Sequence, residues 1–174
     1  MVRNQFRLFL ACFASIYLIS LYWFQFQMDA DTIGYISAAE HYANGNFYQA
    51  INGYWSPLLS WLLVPFILTG FPILLALKLI NLIVAISCFI GIKKIIENLS
   101  ISPKYILLGC IFSSIHILIY SLCYATPDVL AATCWIWFIA VACKLYTQPS
   151  IKLSFTIGII AALSYFAKSY HFYV

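Results

Sequence analysis

The chain reads as an all-α protein, a polytopic transmembrane helical bundle with amphipathic surface helices in its first outer loop. Three observations predict this. Hydrophobic residues make up 64% of the 174 positions and charged residues 8%, and the mean hydropathy is +0.96; so few charges cannot build a water-facing shell. The apolar residues fall in runs of about 20, the length of helix that crosses roughly 30 Å of hydrocarbon. Polar residues gather in the short gaps between the runs, as loops do. No internal repeat or low-complexity linker divides the sequence, so residues 1–174 are expected to form a single membrane domain.

The first span covers residues 8–26. Arg3 and Arg7 precede it, but no Ala-x-Ala exit follows, so it is read as an uncleaved anchor rather than a secretion signal. The loop 28–56 comes next. Within it Ile33, Tyr35, Ile36, Ala39, Tyr42 and Ala43 recur at helical spacing, with Asp31 placed to cap the helix and Asn44-Gly45-Asn46 to stop it. A short helix along the membrane surface fits this pattern. Tyr48, Tyr54, Trp55 and Trp61 supply rings suited to the headgroup level. Residues 57–70 are apolar but would reach only about 20 Å, which assigns them to an interfacial helix. Four more spans follow, at about 71–92, 105–124, 129–146 and 153–170.

The basic residues support this threading. With five spans, Arg3, Arg7, Lys93, Lys94, Lys104, Lys144 and Lys152 fall on the cytoplasmic side, leaving Lys78 and Lys168 towards the other. Seven against two obeys the positive-inside rule, whereas letting 57–70 cross would move Lys93, Lys94 and Lys104 outside and erase the bias. Because these charges are dispersed at span ends, the net charge of +4 points to lipid orientation and not to nucleic acid. The six cysteines lie in or beside apolar runs without CxxC spacing, and read as packing thiols.

The same threading gathers Asp29, Asp31, the Tyr124–Asp128 turn, Lys168 and His171 on the non-cytoplasmic face. A carboxylate near lipid needs water, a partner or a cation, so the Asp29-Ala30-Asp31 pair marks a site. Helix capping is the competing reading for Asp31, and the helix start after Pro127 gives Asp128 a dipole role. Lys78 and Lys168 have snorkelling as their alternative. His171, near the end of a span, is equally suited to a headgroup contact.

Several of these residues stand in a pattern. Asp31, Tyr35, Ala39 and Gly45 mark the first outer loop, and Trp55-Ser56-Pro57-Leu58 follows with Trp61 and Gly70. Lys78-Leu79-Ile80-Asn81 opens the next span, Thr126-Pro127-Asp128 a later one, and Ala167-Lys168 closes the last. In this the chain resembles the type-C glycosyltransferases that use lipid-linked sugars, in particular the protein-mannosyltransferase and aminoarabinose-transferase branch. It departs from them at Thr32, where many relatives carry Glu, and in length, which makes it resemble an N-terminal portion of such a protein.

The resemblance implies an enzyme that moves a sugar from a polyprenyl phosphate donor to an acceptor hydroxyl on a glycan, lipid or protein. Such transfer needs a base for the acceptor proton and a cation for the departing phosphate. Asp31 is assigned as the base and Asp29 as a second catalytic carboxylate that orients the acceptor. Lys78, Asp128, Lys168, His171, Tyr35 and Trp55 are assigned to substrate binding. No cofactor is assigned; if a divalent cation is used, Asp29 and Asp31 are its expected oxygen ligands. The expected location is the bacterial inner membrane, with the site facing the periplasm. The alternatives are a component of a transporter or lipid flippase, and a non-catalytic membrane subunit.

Overall fold

The computed structural model describes residues 2–51 and 53–169, and every regular element within them is helical. In chain order these are α1 (Val2–Phe24), α2 (Ala30–Ala43), α3 (Phe47–Ala50), α4 (Leu58–Leu68), α5 (Ile73–Asn98), α6 (Lys104–Ile119) continuing into a π-helical turn (Tyr120–Tyr124), α7 (Asp128–Thr147) and α8 (Ile151–Ala167). Four are long and apolar enough to cross a membrane: α1, α5, α6 with its π turn, and α7.

The fifth expected span, 153–170, is a helix of 17 residues, shorter than these four. It ends at Ala167 because Lys168 adopts extended backbone (φ −160°, ψ 102°). The helix expected over 57–70 has 11 residues, in keeping with an element too short to cross. Conversely, α5 runs past residue 92 to Asn98. Glu97 pairs with Lys93 at 2.8 Å and with Lys94 at 3.1 Å, and such i,i+4 and i,i+3 pairs prolong a helix beyond its apolar stretch.

Helix α5 takes the centre. Half of its apolar window is buried against 17% of that of α1, which therefore lies at the periphery. Phe9 and Phe13 of α1 meet Phe89 of α5 edge-on, with centroids 5.0 and 4.8 Å apart; each such pair adds about 0.5–1.5 kcal/mol beyond its buried area. Helix α7 lies closely on α5 at Gly91, where a Cβ would stand 2.6 Å from the Ile136 side chain. The Trp137 indole N–H donates to Ser87 Oγ at 2.9 Å in the same interface. Helix α8 packs on α7 and α4, and α2 on α4.

One local expectation is corrected. Asp31 does not cap α2: the helix begins at Ala30, Asp29 holds the capping position in extended backbone, and Asp31 lies in the first turn. The start of α2 is held from outside instead. The carbonyl of Tyr124 accepts the Asp29 N–H at 3.1 Å and the Thr32 hydroxyl at 2.8 Å. The other end closes as expected, with Asn44 as cap and Gly45 at φ +74°, a conformation open to glycine at no steric cost.

Candidate active site

A cavity of about 310 Å³ opens where the starts of α2 and α7, the segment before α4 and the end of α8 meet. Asp31, Tyr35, Tyr54, Trp55, Asp128 and Lys168 line it, with Gly53, Thr126, Pro127 and Ser169. Five of the residues selected from the sequence are thus brought together from four separate regions. Asp29 and Lys78 are not among those lining it, and His171 lies outside the described residues.

Each wall is fixed by identifiable bonds. The Ala125 backbone adopts a left-handed conformation (φ +57°) that ends the π turn and delivers Pro127 to the start of α7. Asp128 then occupies the first helical position, where the dipole favours a carboxylate. Its Oδ2 accepts the Thr126 hydroxyl at 2.5 Å, and its Oδ1 pairs with the Lys168 ammonium. Both oxygens of Asp128 are therefore engaged, and the lysine just beyond α8 is held at the cavity. Ser56 Oγ accepts the Ser169 N–H at 2.9 Å and closes the same corner.

Asp31 is in a different state. It is exposed at the cavity rim, and among the described residues no salt bridge engages it. Of the two acidic groups in the cavity, Asp128 is paired with a lysine and Asp31 is in none of the salt bridges among the described residues. No group of three or more His, Cys, Asp or Glu able to hold a metal ion occurs among the described residues.

The opposite wall is aromatic. The Trp55 ring contacts Tyr35 at 5.1 Å and Tyr54 at 4.5 Å between centroids, both edge-to-face. Tyr35 is itself positioned by Ser60 of α4, whose hydroxyl donates to the Tyr35 carbonyl at 2.8 Å. The indole can lie here because residue 34 is glycine: a Cβ would stand 2.6 Å from Trp55 Cε2. Gly34→Ala is accordingly expected to push the indole aside and destabilise the protein by about 1–3 kcal/mol, as overpacking does. Thermal unfolding measures this; an unchanged midpoint would mean that the wall yields freely.

Lys78 acts behind the cavity. It is fully buried in α5, and its ammonium donates to two main-chain carbonyls, Gln27 at 2.5 Å and Leu122. Gln27 leads into the Asp29–Asp31 segment and Leu122 lies in the π turn before Asp128, so one side chain ties together both acidic strands of chain. Around it, Tyr17 donates to the Lys78 carbonyl at 2.8 Å and Asn81 to the Ser121 carbonyl at 3.3 Å. A π turn shifts carbonyls out of helical register, and π turns recur at functional sites. Here the displaced carbonyls of Ser121, Leu122 and Tyr124 supply acceptors for Asn81, Lys78 and the start of α2.

Sequence reasoning quoted Thr126 and Ser56 within its patterns but gave them no role of their own in the site, and did not weigh Gly34. Thr126 had a local signal, a hydroxyl two residues before an acidic helix start. A glycine inside a helical pattern, as at residue 34, is also a recognised hint of close packing. Comparison of the chain with family models, curated proteins and solved structures gives no match.

Proposed function

We propose that this chain carries the catalytic face of a membrane glycosyltransferase that moves a sugar from a polyprenyl phosphate to an acceptor hydroxyl. The observation that supports this reading best is the composition of one cavity: an exposed carboxylate, a lysine held by a second carboxylate, and a wall of aromatic rings in edge-to-face contact. Asp31 takes the proton of the acceptor hydroxyl as its oxygen bonds to the anomeric carbon. The bond from that carbon to the phosphate oxygen breaks, and the polyprenyl phosphate leaves with the electron pair. Lys168 stabilises the charge that grows on the phosphate, held in place by Asp128. Trp55 and Tyr35 shape the sugar subsite. Lys78 is a positioning residue in this scheme, since it is not among the residues lining the cavity and its ammonium binds the segments that lead to Asp31 and Asp128.

In the membrane, α1, α5, α6 and α7 cross the bilayer and α8 completes the set. The cavity then opens on the non-cytoplasmic face, which in a bacterium is the periplasmic side of the inner membrane. The reading is tested with the full-length protein in proteoliposomes given radiolabelled polyprenyl phosphate sugars and glycan, lipid and peptide acceptors. Transfer of label to an acceptor is the expected result. Movement of labelled lipid between leaflets with no transfer would overturn it in favour of transport.

A further inference from the structure

A second concavity, of about 440 Å³, lies at the far end of α2 from the polar cavity and is lined by Gly45, Asn46, Phe47, Tyr48 and Gln49. Asp31 stands in the first turn of α2 and Gly45 just past its cap, so the two spaces are about 20 Å apart along one helix. Tyr35 and Tyr42 are two turns apart on one face of that helix. Tyr35 lines the polar cavity, and Tyr42 carries the Phe47 ring at 6.2 Å between centroids. Tyr42 in turn rests on Trp61 of α4, also at 6.2 Å. Phe47 is thereby fixed from one side while 61% of it stays exposed, and Tyr48 is 95% exposed. Asn46 and Gln49, which flank the two rings in sequence, are exposed, and among the described residues no side-chain hydrogen bond engages either amide. Nothing lies within 4 Å of where a Gly45 Cβ would stand, which leaves the space above the backbone open.

None of the five lining residues is an acid, a lysine, an arginine or a histidine. A phosphate, an ammonium or a carboxylate finds no counter-ion among them, and two unpaired amides are costly against hydrocarbon. A neutral sugar meets the set. Its polarised C–H face can lie on the electron-rich face of a ring, and each amide can both donate to and accept from its hydroxyls. We infer that the acceptor is a glycan whose terminal hydroxyl reaches Asp31 while a sugar several units further back rests on Phe47 and Tyr48, between Asn46 and Gln49. The inference rests on the glycosyl-transfer reading for the role of Asp31, and selects a glycan from the acceptors that reading admits. A subsite this far from the reacting atoms holds ground state and transition state alike, so it lowers KM for long acceptors without raising kcat.

The test uses the full-length protein in lipid nanodiscs and neutral tetrasaccharides of mannose, glucose, galactose and arabinose, with no lipid-linked donor. Saturation-transfer NMR reads contact between saccharide and protein protons, and a titration gives the affinity. Binding of a tetrasaccharide is expected, with Tyr48→Ala and Gln49→Leu each weakening it by about fivefold, the loss of roughly one ring contact or one hydrogen bond. Both side chains are exposed, so the thermal midpoint of each variant should match the parent. No binding of any of the tetrasaccharides, or binding that neither variant weakens, would overturn the subsite. Quenching of a Tyr48→Trp indole by lipids brominated along their acyl chains would overturn it too, by placing this loop in the bilayer. In transfer assays the bound tetrasaccharide should show a lower KM than its monosaccharide, and equal values would overturn the remote subsite alone. Saccharide binding that both variants weaken, in a protein that transfers no sugar, would leave the saccharide site standing and overturn the transferase reading alone.

Discussion

Asp31→Asn in the full-length protein is expected to lower sugar transfer by about 10²–10⁴-fold, the usual contribution of a general base. The amide keeps the size and shape of the side chain but cannot accept the acceptor's proton. Because Asp31 is exposed in the first turn of α2 and does not cap the helix, the substitution removes no bond on which the fold depends. Membrane insertion and thermal midpoint should therefore match the parent. Asp128→Asn makes the contrast informative. It weakens the hold on Lys168 and should lower transfer and stability together, since that carboxylate is engaged on both oxygens. Transfer assays beside melting curves check both; an Asp31→Asn protein that transfers at the parental rate would remove the base from the scheme.

Lys78→Met is expected to cause the largest loss of stability of any single substitution considered. Methionine approximates the volume of the stem but leaves the carbonyls of Gln27 and Leu122 without their donor. An orphaned buried acceptor costs about 1–3 kcal/mol, and more where no water can replace the donor. The Leu122 carbonyl is such a group and the part-buried bond to Gln27 adds to it, so the thermal midpoint should fall by several degrees, and transfer should fall too, because the Asp31 and Asp128 segments lose their common anchor. Unfolding followed by circular dichroism in detergent measures the first effect. A midpoint within one degree of the parent would show that the ammonium does not hold these segments together.

Much of the fold was readable from residue chemistry. Long apolar runs and the charge bias at their ends are strong one-dimensional signals, and α1, α5, α6 and α7 follow them. The bounds were less readable, because Glu97 carries α5 onward through pairs with lysines that hydropathy treats only as an end. Of the residues lining the cavity, Asp31, Asp128 and Lys168 were legible through charges that are costly near lipid, and Tyr35 and Trp55 through the pattern in which the chain resembles a known family. Lys78 was legible as unusual but not in its role. Its partners are main-chain carbonyls presented by a π turn, and nothing in Tyr120-Ser121-Leu122-Cys123-Tyr124 interrupts the apolar pattern to announce that turn. The pairing of Asp128 with Lys168 was equally hidden, since it joins residues 40 positions apart.

That ion pair, with the Ser56 to Ser169 bond beside it, has a consequence for biogenesis. Helices α1 to α7 are made first, yet the cavity lacks Lys168 and Ser169 from its lining until α8 has followed and the lysine reaches Asp128. A ribosome-bound intermediate would hold Asp128 without its lysine. The polar cavity is thereby completed only when the last helix has docked.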